Sequence, residues 1–502
     1  MYKGRQNFDD VAWDKSDAAE EESEKKLRKE SFCCRVEAFV TEKCGKPAKI
    51  LSIITGGLNI HYRIRFEEED SSSSDIMVRV PWPAAAQFPD EKVDYEAAAA
   101  KYSRANTRIP VAQVLHYGQG SSIGPFLMLC RIENRGNLTR PLCVPDRDPA
   151  LTPALNPKLP ESKLRSLWGI MASCLLELAK PTLSRIGSLL EVDGSIRVAG
   201  RPLTFNMSSM VQLGNIPAAV FPAKDTTFAT ADEWYVQLAT MHLAQLIFQR
   251  NDLVSDEDDC RNKYVSRQLF LMLAKRGHLS TFGFAQDNWS AFAKAATRPR
   301  FPAPNGSNPF RLWCDDFRPS NALLDRAEDD KLAAMIDWEL TYAAPAQFVL
   351  DPPWWLLFET PEMWKPGGVG EWSKAYEPQL EIWLKAVEDQ EDGTAFLDGL
   401  PLSAHMKESW ETGRFWLNYA ARKSWAFDAV FWTFLDERFF GSRDPEVLDK
   451  ELWQTRLHLL SQEEQQTMEL FVKRKMDESR DRILVEWDPA EVRRRLAELS
   501  FD

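Results

Sequence analysis

Residues 310–339 constrain the fold more than any other stretch of this chain. They read Phe-Arg-Leu-Trp-Cys-Asp-Asp-Phe-Arg-Pro-Ser-Asn-Ala-Leu-Leu-Asp, pass a charged turn, and resume as Leu-Ala-Ala-Met-Ile-Asp-Trp-Glu. Two short apolar runs, 322–324 and 332–336, flank the polar segment 325–330, a pattern that predicts two antiparallel strands joined by a hairpin. Asp316 and Asn321 precede the first strand and Asp337 directly follows the second. A hairpin therefore brings these three side chains to one end. The same pattern also fits an ordinary hairpin whose Asp and Asn residues only make turns.

Magnesium takes oxygen ligands, usually one or two carboxylates with substrate phosphates, so an Asn amide oxygen and an Asp carboxylate at one point suit it. A second carboxylate beside them, Asp316, is suited to orient a substrate hydroxyl and accept its proton during phosphoryl transfer. The spacing is that of the protein-kinase catalytic loop, D-x-x-x-x-N, followed by a metal-binding Asp. That spacing alone recurs by chance about once in a chain this long. With the hairpin and the Ile-Asp-Trp-Glu that ends it, the stretch resembles the aminoglycoside phosphotransferase and choline kinase family, and within it the fungal phosphotransferase-family proteins. The resemblance implies an α+β, two-lobed protein-kinase-like fold with a small β-rich N-lobe and a large, mainly helical C-lobe. It also implies ATP and Mg²⁺ as cofactors, Asp316 as the catalytic base, and Asn321 and Asp337 as metal ligands.

Residues 50–66 alternate around Thr55-Gly56-Gly57-Leu58-Asn59 and predict two strands with a glycine turn. Such a turn lets backbone N–H groups approach phosphates closely, although a hairpin needs no ligand to use glycine. A third strand at 76–80 carries Arg79 where the resembled fold places its phosphate-binding lysine, and Glu96 lies on a helical stretch, 91–104, where the cation's partner falls. Gly56, Gly57, Arg79 and Glu96 are therefore the expected nucleotide-binding residues. Arginine keeps the charge but not the geometry of lysine. Residues 109–117 and 126–132 complete the lobe, with adenine placed against Leu129 and Cys130 by the resemblance alone. The expected organisation is a charged tail and helix at 1–44, a nucleotide-binding lobe at 45–130, and a helical lobe at 131–502.

A net charge of −13 without any Lys/Arg-rich stretch argues against nucleic-acid partners. The eight Cys lack C-x-x-C spacing and the six His are scattered, which predicts reduced thiols, no zinc site and a cytoplasmic protein. No run approaches the ~20 apolar residues of a membrane span. Residues 1–30 read as a solvated helix or tail, and Phe32, Val36, Phe39 and Val40 as the apolar face of a helix on the small lobe. Helices are expected at 164–178, 234–249, 261–276, 412–440 and 448–472. A loop-rich region is expected up to 222, and a Pro/Asn/Gly/Ser loop at 299–309. The acidic run 256–259 reads as a solvated loop. The tryptophans after residue 350 suit a helical core better than an aromatic cage for a cationic amine.

Three departures from the family pattern matter. Cys314 stands where the family has the loop histidine, Asp315 replaces glycine, and Arg79 replaces lysine. The chain reads as an ATP-dependent phosphotransferase for a hydroxyl on a small molecule. Its alternative is a weakly active or inactive nucleotide-binding scaffold. Protein kinase activity lacks the A-P-E segment that supports an activation loop.

Overall fold

The computed structural model describes residues 7–66, 75–145, 147–148, 151–304, 309–391, 393, 396–397 and 399–501. Five strands, β1 (Ala48–Thr55), β2 (Asn59–Phe66), β3 (Ile76–Pro81), β4 (Val114–Ser121) and β5 (Gly124–Cys130), pair antiparallel in the order β1-β2-β3-β5-β4. Alternation sets the buried face, so Ile60, Tyr62 and Ile64 on β2 point inward. Helix α2 (Glu30–Cys44) covers that face with Phe32, Val36, Phe39 and Val40. Helix α3 (Pro89–Asn106) follows β3 and has no single apolar stripe, because it is buried between the small lobe and the Gly187–Val192 strand of the large one. The strand expected at 109–117 starts only at Val114. Pro110 has no N–H to give a ladder, and Val111 makes a lone bridge to Met335 instead.

The charged stretch at the start is helical over Asp10–Leu27 (α1), and its N-terminal end is anchored. Asp9 caps the helix, donates its N–H to the Leu213 carbonyl and accepts from the Asn251 side chain at 2.9 Å, tying α1 to the large lobe.

The large lobe contains the helices Glu161–Ala179, Ala231–Phe248, Glu257–Lys275 and Gly368–Gln390. It also holds a second sheet, ordered β6-β9-β12-β7-β8, from Thr182–Leu183, Phe310–Cys314, Thr341–Pro345, Gly187–Val192 and Ser195–Gly200. The region expected to be loop-rich up to 222 is therefore partly β. Its hairpin turns at Asp193-Gly194, both at positive φ, the sequence signature of a tight hairpin. The helix expected across 412–440 is interrupted, because Arg414–Arg422 ends at Lys423, whose backbone leaves the helical region, and the chain becomes helical again only at Phe427. The helix expected across 448–472 is likewise broken, since Ser461 and Glu464 form a capping box that starts Gln462–Glu478. The acidic run at 256–259 caps and opens the Glu257–Lys275 helix rather than forming a loop. Part of the expected 299–309 loop, 305–308, lies outside the described residues.

The tryptophan-rich region is core. Trp355, Trp372, Trp383 and Trp416 are buried, and Trp416 stacks on Phe434 at 3.9 Å between centroids. Among the described residues no helix is long and apolar enough to cross a membrane. A small antiparallel sheet with a helix after its third strand, joined to a helical lobe that carries a short hairpin at 322–335, is the two-lobed kinase-like arrangement.

Candidate active site

The hairpin forms as the pattern predicts. Strand β10 (Ala322–Leu324) pairs with β11 (Leu332–Met335), with Ala322 opposite Met335. The Ile336 N–H donates to the Asn321 carbonyl at 2.9 Å, so Asp337 emerges beside Asn321. Asn321 Nδ2 donates to both the backbone carbonyl and Oδ2 of Asp316, each at 2.9 Å. Asp316, Asn321 and Asp337 are thus brought together at one end of the hairpin. Asp337 sits at φ +63°, a left-handed conformation that Asp tolerates better than most residues and that functional sites often hold.

Burial pushes the Asp316 carboxyl above the ordinary range, against the pull of Arg318 and Asn321. Arg318 Nε lies 2.8 Å from Asp316 Oδ1. The amide orientation of Asn321 leaves its Oδ1 turned away from Asp316, toward the Ser320 hydroxyl at 3.4 Å. One amide oxygen and one carboxylate are a donor set that fits Mg²⁺ with substrate phosphates completing its shell. Among the described residues no group of three or more His, Cys, Asp or Glu is placed to hold a metal, so the protein's share would be this pair.

Across the cleft, Arg79 and Glu96 form a buried ion pair, as expected from their positions on β3 and α3. Arg79 Nη2 also reaches Asp337 Oδ1 at 2.9 Å and Glu339 Oε2 at 3.3 Å. Burial opposes the charge on Arg79, and the three carboxylates more than restore it. Arg79 Nε is buried without a hydrogen-bond partner among the described residues.

Glu339, two residues beyond Asp337, is not marked by the sequence pattern. Burial raises its pKa, but Lys92 and then Arg79 outweigh that and hold the carboxylate at about 2. Its Oε2 accepts from Asn59 Nδ2 at 2.9 Å and pairs with Lys92. Lys92 in turn donates to Asn59 Oδ1 at 2.7 Å. A large-lobe carboxylate is therefore held by three small-lobe side chains. Signals for them exist in the sequence, since Lys92 precedes Glu96 by one helical turn and Asn59 closes the glycine turn.

Gly56 and Gly57 lie between β1 and β2, one strand away from Arg79, whose register partner on β2 is His61. A Cβ on Gly56 would meet His61 Nε2 at 2.9 Å, whereas one on Gly57 would stand in open space. Space is therefore tight at Gly56 and open at Gly57. Residues 131–138 then cross to the large lobe along β10, with the Leu138 N–H donating to the Ala322 carbonyl at 2.9 Å.

The departures have structural uses. The Cys314 thiol donates to the Asp337 carbonyl at 3.8 Å, tying the loop before β10 to the segment after β11. Asp315 accepts from the Trp313 indole at 2.7 Å and from the Phe205 amide at 3.0 Å. Arg422 lies over the Trp313 ring at 4.3 Å and 3.9 Å from Asp351. Asp351, which accepts from the Ser409 hydroxyl at 2.6 Å, is thereby linked to Trp313 through Arg422.

No family model matches the chain, and no curated protein does. Solved structures similar to it include a thermostable mutant of aminoglycoside phosphotransferase APH(4)-Ia in ternary complex with AMP-PNP and hygromycin B. That structure is 12% identical and covers 87% of this chain and 98% of its own, at a TM-score of 0.38. Other similar solved structures include aminoglycoside phosphotransferases as well. The GDP complex of wild-type aminoglycoside 2'-phosphotransferase-IIIa is 11% identical, covers 89% of this chain and 98% of its own, and has a TM-score of 0.34. With TM-scores this low, the roles of the residues here rest on their own geometry.

Proposed function

We propose that the chain is an ATP-dependent phosphotransferase that acts on a hydroxyl group of a small molecule. The observation that carries this reading is the meeting of Asp316, Asn321 and Asp337 at the hairpin end, opposite the buried Arg79–Glu96 pair. Residues 45–130 would form the nucleotide-binding lobe, with Gly56 and Gly57 near the phosphates, and 131–502 the lobe that binds the acceptor. Asp316 orients the acceptor hydroxyl and takes its proton, a task favoured by a carboxyl whose pKa is raised by burial. Asn321 and Asp337 would hold Mg²⁺, which supplies charge neutralisation at the phosphate oxygens. Arg79, oriented by Glu96, steadies the phosphates. The eight free thiols fit a reducing compartment such as the cytoplasm.

A nucleotide-binding scaffold is the second reading. It is favoured by the engagement of Arg79 with three carboxylates, which leaves its terminal nitrogens committed within the protein. A thermal-shift titration of ATP with and without Mg²⁺ tests the nucleotide site common to both readings. The expected result is a Mg²⁺-dependent rise in melting temperature for the wild type that Asp337→Ala abolishes. The absence of a shift at any ATP concentration would remove the phosphotransferase reading.

A further inference from the structure

Lys423 ends the Arg414–Arg422 helix and is half-buried. Among the described residues its ammonium makes no ion pair, and its direct contact is the Phe205 ring, 5.1 Å from the centroid. Burial disfavours its charge, and the charges acting on it are, in order, Asp315, Glu362, Arg422 and Asp316. Each of those carboxylates has donors of its own. Asp315 is held by Trp313 and Phe205, Asp316 by Arg318 and Asn321, and Glu362 by the Tyr419 hydroxyl at 2.7 Å. Lys423 is thus a cation without an ion-pair partner among the described residues, resting on the Phe205 ring beside the loop that carries Asp316.

Phe205 completes the feature. It is 43% exposed, and its backbone amide is fixed by Asp315, so the ring stands at the edge of the catalytic loop. An exposed aromatic face next to an unpaired lysine suits a compound with a carbon frame and a negative group. An ammonium drawn out of water without a counterion is costly, and a bound anion removes that cost.

We infer that the acceptor is a hydroxyl compound bearing an anionic group, a carboxylate or a phosphate, which Lys423 binds while Phe205 packs against its carbon frame. This rests on the phosphotransferase reading above. Lys423 is then a specificity residue, whereas Asp316 serves any acceptor.

The test uses the full-length protein, Mg²⁺ and γ-labelled ATP. A small-molecule extract of the cells that make the protein is split by ion exchange into anionic, neutral and cationic pools. Label transfer to a compound in the anionic pool is expected. With that compound purified, Lys423→Gln should raise KM roughly tenfold or more with a smaller change in kcat, and Lys423→Arg should recover most of the loss. The Mg²⁺-ATP thermal shift should stay unchanged in both variants. Transfer only to neutral or cationic compounds would overturn the inference while leaving the phosphotransferase reading intact. So would wild-type KM in Lys423→Gln. Transfer to no pool would overturn the phosphotransferase reading and the inference with it. Because the pool assay uses the wild type, it holds even if a variant folds poorly.

Discussion

Arg79 on β3 and Asp337 after β11 form an ion pair across the interlobe cleft, 2.9 Å between Nη2 and Oδ1. The same guanidinium holds Glu96 and Glu339, so one small-lobe cation positions three carboxylates. Metal binding by Asp337 would have to compete with this pair. The proposed metal and nucleotide sites would therefore be tied to the stability of the interlobe network.

Removing that cation should be costly. In Arg79→Met only Lys92 remains to pair the buried Glu96 and Glu339, and breaking buried pairs of this kind costs about 3–5 kcal/mol. Arg79→Lys keeps the charge but reaches fewer carboxylates, so its loss should be smaller. Urea unfolding of the three proteins checks the order, and equal stability of Arg79→Met and wild type would contradict it.

The cysteines should differ sharply in reactivity. Cys34 is exposed, whereas Cys174, Cys260 and Cys314 are buried, and burial pushes the Cys174 and Cys260 thiols up to about 12. A short iodoacetamide pulse on the native protein, read by mass spectrometry, should label Cys34 and spare those three until urea is added. Labelling of Cys314 in the native protein would mean that the loop opens.

Cys314 has a second test. Cys314→Ser retains a donor for the Asp337 carbonyl, whereas Cys314→Val leaves that carbonyl without it, at about 1 kcal/mol. The valine variant should also bind ATP in Mg²⁺ more weakly than the serine variant, measured by calorimetry.

Asp351 gives a pH dependence. Burial raises its pKa from 3.8 to about 6, with Arg422 and Ser409 pulling the other way. Between those values the folded state holds the proton more tightly than the unfolded state does, so this group lowers stability as pH rises through the window. Asp351→Asn removes the titration and keeps an acceptor for the Ser409 hydroxyl. Relative to wild type, its urea midpoint should improve from pH 4 to pH 7, and a constant difference across that range would contradict the assignment.

The hairpin and its three polar residues are legible in the sequence because they depend on local order: apolar runs, a polar turn, and side chains at the strand ends. Arg79 and Glu96 are legible by their order after the glycine turn. The second sheet is not, although Asp193-Gly194 marks its hairpin, because short strands separated by loops give little periodicity. Lys92 and Asn59 carry local signals, but their meeting with Glu339 is not legible, since it depends on how the two lobes close, which no local pattern encodes. The interrupted helices at 412–440 and 448–472 show the same limit from the other side. Apolar spacing runs through 423–426 and Ser461, but the backbone leaves the helix at Lys423 and a capping box starts a new helix after Ser461.

The most direct test of the central claim compares wild type with Asp316→Asn for phosphoryl transfer from Mg²⁺-ATP to the acceptor found in the pool assay. ATP binding should be similar in the two proteins, because Asp316 acts on the hydroxyl, while the transfer rate of the variant should fall by about 10² to 10⁴. Transfer by Asp316→Asn at the wild-type rate would contradict the assignment of Asp316 as the base and the mechanism built on it.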